Sequence, residues 1–199
     1  MALRCRNPPL RGTSGTGKSL SFVMRHRTRA ALLFFVALPC HGSPAQSSAE
    51  IIAVFQTYVA LNQDYLSSVK YGKGMSGKSY QQLNHEVADY SEGTLEEALE
   101  ASVTSVCQNG KPDLIRSLLK LQQATTNSAS ESPATALGRM FVCQPDAFSE
   151  TFAAMDRASQ GQLYSLVEFG FDNAILDYPT KGTDVEVLKA KLLRLKPSK

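Results

Sequence analysis

The sequence predicts an all-α fold of about seven or eight helices, either a helical bundle or a short α-solenoid-like stack of helix pairs, after an N-terminal signal segment. Three observations predict it. Apolar residues recur at helical spacing along most of residues 48–195. Pairs spaced Ser/Thr-x-x-Glu/Gln open five of those runs: Ser47/Glu50, Ser79/Gln82, Thr94/Glu97, Ser159/Gln162 and Thr183/Glu186. In such a box the two side chains satisfy the free amides of a helix's first turn. No run alternates apolar and polar residues as a half-buried strand would.

The first helix, about 48–70, places Ile51, Phe55, Tyr58, Tyr65 and Val69 on one face, and the glycines of 72–77 end it. A second, about 80–90, turns Leu83 and Val87 inward. A third, about 95–107, carries Leu95, Leu99, Val103 and Val106 in one stripe. Gly110 stops it. Pro112 suits the first turn of a fourth helix, which packs through Ile115, Leu118, Leu119 and Gln122. The polar, aperiodic run 125–132 reads as an exposed loop. Pro133 opens a fifth helix with Leu137, Met140 and Phe141 inside; a sixth follows Pro145 with Phe148, Phe152 and Met155. The seventh, about 160–176, is the most apolar, with Leu163, Leu166, Val167, Phe169, Phe171 and Ile175, and Tyr178-Pro179 stops it. A last helix, about 184–196, shows Val185, Leu188, Leu192 and Leu195.

One stretch is written twice. A helix ends at "SVCQ" and restarts at Pro112-Asp113; another ends at "FVCQ" and restarts at Pro145-Asp146. Setting Cys107 on Cys143 places Ala98 on Ala134, and after a short gap Ile115 on Phe148. The period is that of a two-helix repeat. Two copies also fit a plain bundle with coincidental similarity, since solenoids need about three.

The charge is divided. Of 21 Lys/Arg and 18 Asp/Glu, seven bases and no acid fall in residues 1–45, leaving 14 bases against 18 acids in 46–199. The body is mildly acidic and has no basic stripe to neutralise phosphates, so nucleic acid is not an expected partner. The leader has the order of a secretory signal. Met24 to Arg29 is cationic, 30–38 is apolar, and 39–45 is short and ends in Ser43 and Ala45. Nine apolar residues rise only about 14 Å, too little to span a bilayer. The expectation is a signal peptide over 24–45 with an upstream extension 1–23, cleavage after Ala45, no stable membrane span after processing, and one helical domain over 46–199. The mature chain would be periplasmic or secreted. An Arg-rich organellar transit peptide and a retained N-terminal anchor are the rival readings.

Cleavage would leave two cysteines, Cys107 and Cys143. An even pair in an exported chain points to a disulfide; two buried free thiols are the alternative. Equivalent positions of packed helices lie about 8–10 Å apart, whereas a disulfide needs Cα atoms within about 7 Å. Repeat and disulfide are compatible only where the two helices are locally close.

Candidate chemistry is sparse. Residues 12–19 (GTSGTGKS) and 72–79 (GKGMSGKS) match a phosphate-loop pattern, but that geometry needs a buried strand before it and a helix after it. The first has no such strand and lies in the leader. The second precedes a helix but follows another, so it reads as a helix–helix linker, with anion binding at the helix start as a weaker alternative. His85 is the single histidine of 46–199, and no second one stands by to build a triad or metal set. Glu168 and Asp172, four apart in the most apolar helix with Asn173 beside them, are candidates for partner recognition. As a carboxylate pair they are also the candidate site of an exported hydrolase. Between them Gly170 permits close approach of another helix at about 1 kcal/mol relative to Ala. No catalytic residue, nucleotide site, metal site or cofactor is expected. The function class expected is non-catalytic protein binding, of inhibitor, immunity or envelope-adaptor type; the rivals are the hydrolase and, further behind, a nucleotide-binding protein using residues 72–79.

Overall fold

The computed structural model describes residues 46–126, 130–177 and 184–197; the expected leader, Thr183 and Tyr178-Pro179 lie outside them. Among the described residues there are eight α-helices and no strand, only one antiparallel bridge between Lys73 and Ser79. The helices are α1 (Ser48–Tyr71), α2 (Tyr80–Tyr90), α3 (Glu96–Asn109), α4 (Pro112–Ala124), α5 (Ser132–Cys143), α6 (Pro145–Ala153), α7 (Arg157–Asp177) and α8 (Val185–Arg194). The fold is an all-α helical bundle.

The helix-start signals divide by outcome. Ser47/Glu50 and Ser79/Gln82 form complete capping boxes. Thr94/Glu97 does not: α2 runs into α3 through a π-helical turn, Ser91–Leu95, so no helix starts there and no side-chain cap forms. Ser159/Gln162 is likewise displaced. Asp156 takes the cap, accepting from the Ser159 amide at 2.9 Å and its hydroxyl at 2.6 Å, and α7 begins at Arg157. These bonds hold the Asp156 carboxyl below its usual range, the Ser159 side chain contributing most. At α8 the cap is Asp184, which accepts from the Glu186 amide at 3.0 Å. Gly110 closes α3 in the left-handed region at φ 65°.

One core joins α1 to α8, from Ile51 and Phe55 through Val106, Leu118, Phe141 and Phe152 to Leu188 and Leu192. Phe141 is central, meeting Phe148 edge-on at 5.5 Å and Phe171 at 5.7 Å. Three inward expectations fail or weaken. Val69 is exposed and Tyr65 half-buried, because the second half of α1 faces its own loop and α2 instead of the core. There Asn62, Asp64 and Ser68 are the buried residues. Phe169 is exposed, lying off the α7 face that carries Val167, Gly170 and Phe171. Conversely, Thr125, expected in an exposed loop, is buried, its hydroxyl donating to the Leu121 carbonyl at 2.8 Å.

The closest helix pair is α5 against α7. Ala134 and Gly138 on α5 meet Gly170 and Ala174 on α7, all buried. A Cβ on Gly138 would fall 2.0 Å from the Gly170 carbonyl, and one on Gly170 would fall 1.8 Å from the Ala134 carbonyl oxygen. Backbone touches backbone here, so neither side can yield by turning a side chain. Gly170 thus has the role the sequence indicated; its partner Gly138 went unnoticed.

The doubled stretch also becomes physical. Helices α3 and α5 end side by side, with Cys107 bonded to Cys143 and a Cα–Cα distance of 5.3 Å. The Gln144 side chain adds a bond to the Cys107 carbonyl at 3.2 Å. Each helix then breaks and restarts at a proline, giving two helical hairpins joined at matching ends.

Two outcomes follow. Gly138→Ala or Gly170→Ala should destabilise the fold by about 2–3 kcal/mol, the upper range for overpacking, while an alanine replacing exposed Gly161 should not; chemical denaturation measures the difference. Replacing both Cys107 and Cys143 with Ser should cost about 3–4 kcal/mol, from the length of the loop they close, and thiol reduction of the native chain should lower its melting temperature comparably.

Candidate functional site

The sequence-nominated residues come first. Glu168 and Asp172 lie on the outer side of α7, Glu168 half-buried and Asp172 exposed. The Tyr164 hydroxyl donates to Glu168 at 3.4 Å, and burial together with this carboxylate pushes the Tyr164 pKa up, burial contributing most. Asn173 points elsewhere: its amide donates to the Thr135 hydroxyl at 3.4 Å, beside the glycine seam. The three are therefore not one cluster, and neither carboxylate lines the clefts described below. His85 is exposed and pairs with Asp89 at 3.3 Å. Among the described residues no group of His, Cys, Asp or Glu is placed to hold a metal ion, and no helix is long and apolar enough to cross a membrane.

The loop 72–79 is ordered around a carboxylate. Asp64, buried on α1, accepts from the Ser76 amide at 3.1 Å. Gly74 donates to the Lys78 carbonyl and Gly77 to the Gly74 carbonyl, both at 2.9 Å. Gly74 has no room for a side chain, since a Cβ would fall 2.4 Å from Asp64 Oδ1 and from Leu83. A phosphate loop leaves its amides and lysine for the phosphates. Here a negative charge already stands inside the loop, and the Lys78 ammonium is held by Glu86 at 2.6 and 2.8 Å. The Ser76 side chain does most to depress the Asp64 pKa, against the opposite effect of burial, and the Ser76 amide adds to it.

A site the sequence reading missed lies on the other side of the α1–α2 hairpin. Tyr58, Asn62 and Tyr65 recur at i, i+4 and i+7 and so share one face of α1. With Val87 and Ala88 of α2, Ser91 and Glu92 of the π turn, Glu96 and Ser132, they line a cleft of 590 Å³. Two of the lining residues are aromatic and backed by further rings: Tyr58 stacks on Tyr90 at 6.3 Å, and Tyr65 meets Tyr80 at 5.5 Å. The hydroxyl–hydroxyl contact with Tyr80, at 3.5 Å, raises the Tyr65 pKa, burial adding to it. Asn62 is 3% exposed, and its amide nitrogen has no hydrogen-bond partner. Leaving such a buried donor unmade costs about 1–3 kcal/mol, a cost the chain bears here in a cleft wall and again at the buried Gln122 Oε1. A π turn stands at the rim; such turns are rare within helices and are frequently found at functional sites. The sequence held one hint: Asn62 occupies a position where the apolar stripe of α1 should continue.

A smaller groove of 440 Å³ runs between α1 and α4, lined by Ile52, Val59, Leu121 and neighbours with Gln56, Gln63 and Lys120; none of its described lining residues has a buried unpaired polar atom. No family of proteins, no curated protein and no solved structure matches this chain.

The depressed Asp64 pKa fixes a sign. A carboxyl whose folded pKa lies below its unfolded value stabilises the fold above that unfolded value and loses the contribution as pH falls through the folded one. Loop 72–79 should therefore loosen as pH drops below the ordinary 3.8 of Asp64. Hydrogen exchange at the Ser76 amide should accelerate relative to α1 on acidification. Asp64→Asn, which keeps an acceptor but cannot titrate, should abolish that pH dependence.

Proposed function

We propose that the chain is an exported, non-catalytic helical protein that binds another protein through the cleft beside the π turn. The single observation carrying this reading is the buried, unpaired amide of Asn62 in the cleft wall. A binding surface keeps such a donor for an acceptor that arrives with the partner, and the free protein bears the cost. The Cys107–Cys143 bond fits an oxidising compartment, in keeping with the signal-like order of residues 24–45. An inhibitor, immunity protein or envelope adaptor fits these traits: a helical frame, a modest cleft and, among the described residues, no group of His, Cys, Asp or Glu placed to hold a metal ion. The outer face of α7, where Glu168 and Asp172 flank exposed Phe169, is a second candidate contact, without an unsatisfied group to support it.

The test exploits the opposition between binding and stability. Asn62→Leu, close in volume, should leave the fold intact or stabilise it by about 1 kcal/mol, and should remove partner binding. A photocrosslinker at exposed Ala88, on the cleft rim, should yield a discrete adduct in the native envelope. That adduct should vanish in the Asn62→Leu background and persist in Glu168→Ala/Asp172→Ala. Undiminished crosslinking by Asn62→Leu would overturn the assignment of the cleft.

A further inference from the structure

The cleft is acidic as well as aromatic. Glu92 and Glu96 stand exposed at its rim, and among the described residues neither takes part in an ion pair. A smaller recess of 160 Å³ adjoins it, sharing Glu96 and Ser132, and adds Glu100 and Glu131. The cation of that recess, Arg139, is committed to Glu100, one of its two contacts being 3.0 Å. The strip as a whole is therefore negative, the wrong sign for nucleic acid or an anionic membrane. The same cleft is lined by the half-buried Tyr65 and by Asn62, with its unpaired amide nitrogen. Charge at the rim, an aromatic face for an aliphatic stem and a donor in the wall ask for a cation joined to a hydrogen-bond acceptor.

Resting on the reading of the cleft as the binding surface, we propose that it takes a Lys or Arg side chain from an extended segment of the partner. Glu92 and Glu96 hold the cationic head, Tyr65 covers the stem, and Asn62, whose amide nitrogen is covered in the free chain, donates to a carbonyl of the same segment as the cleft wall shifts to admit it. Polyamines share the cationic chemistry but carry no acceptor for Asn62. A free basic amino acid supplies its acceptor as a carboxylate, which Glu92 and Glu96 repel. A peptide carbonyl next to a basic side chain satisfies all three features together.

The probe is N-acetyl-Gly-Lys-Gly-amide, titrated at millimolar concentration into the isotope-labelled full chain and followed by NMR. Norleucine and Glu versions of the peptide, and spermidine, are the comparison arms. The expected result is that the Lys peptide shifts the side-chain amide of Asn62 together with the backbone amides of Ser91 and Glu92. Glu92→Gln/Glu96→Gln should weaken that binding about tenfold with the rest of the spectrum unchanged. Equal binding of the norleucine or Glu peptide would overturn the basic-residue assignment while leaving the cleft as the binding surface. The same shifts from spermidine, Asn62 included, would overturn the peptide assignment. No shift from any arm would overturn both this inference and the reading beneath it.

Discussion

Backbone contact between α5 and α7 sets the geometry that the other helices accept. With Gly138 and Gly170 face to face, the backbones of the two helices come so near that neither glycine could carry a Cβ. That approach fixes where Phe171 enters the core, and hence the edge-on meeting of Phe141 and Phe171. Helix α5 is also the one bonded through Cys143 to α3 and joined by its short break to α6. It acts as a spine, held on one side by a covalent bond and on the other by the absence of side chains. Loss of either constraint would let α5 slide, and the aromatic centre would lose its fit.

A rigid frame of this kind can tolerate unsatisfied groups at its margin. The second half of α1 leaves the apolar core and buries polar residues. Asp64 is satisfied by the loop it organises, whereas Asn62 is left unpaired. The contrast matters because the two lie two residues apart on one helix. Where the chain needed a polar group for its own structure, it built the partner: a tight loop with no room for a Cβ at Gly74. Around Asn62 it built tyrosines, carboxylates and a π turn instead.

How legible this was depended on whether a feature is local. Helix positions follow from periodicity, and the stripe Leu95, Leu99, Val103 and Val106, running from the π turn into α3, is buried as its spacing predicts. Capping boxes at Ser47 and Ser79 were read correctly because everything they need lies within four residues. At Thr94 the same spacing misled. A helix already under way supplied the amides with carbonyls of the preceding turn, so the box had nothing left to cap. Val69 and Phe169 were misassigned because periodicity says which residues share a face, and not whether another helix covers it. The phosphate-like loop matched a pattern of residue types but lacked the one element that pattern cannot encode, an empty nest of amides.

The sequence by itself determined the all-α class, the helix order, the paired cysteines at matching helix ends and the uneven charge, because each rests on neighbours along the chain. Tertiary structure decided that Cys107 and Cys143 lie close enough to bond, that Gly138 and Gly170 meet, and that Asn62, Glu92 and Glu96 share one cleft. Those facts depend on residues roughly thirty or more positions apart being brought together, or on a helix continuing through a turn that looks like a break. Hydrophobic spacing carries no information about which faces are paired, so a cleft assembled from four helices and a π turn is visible only once they have packed.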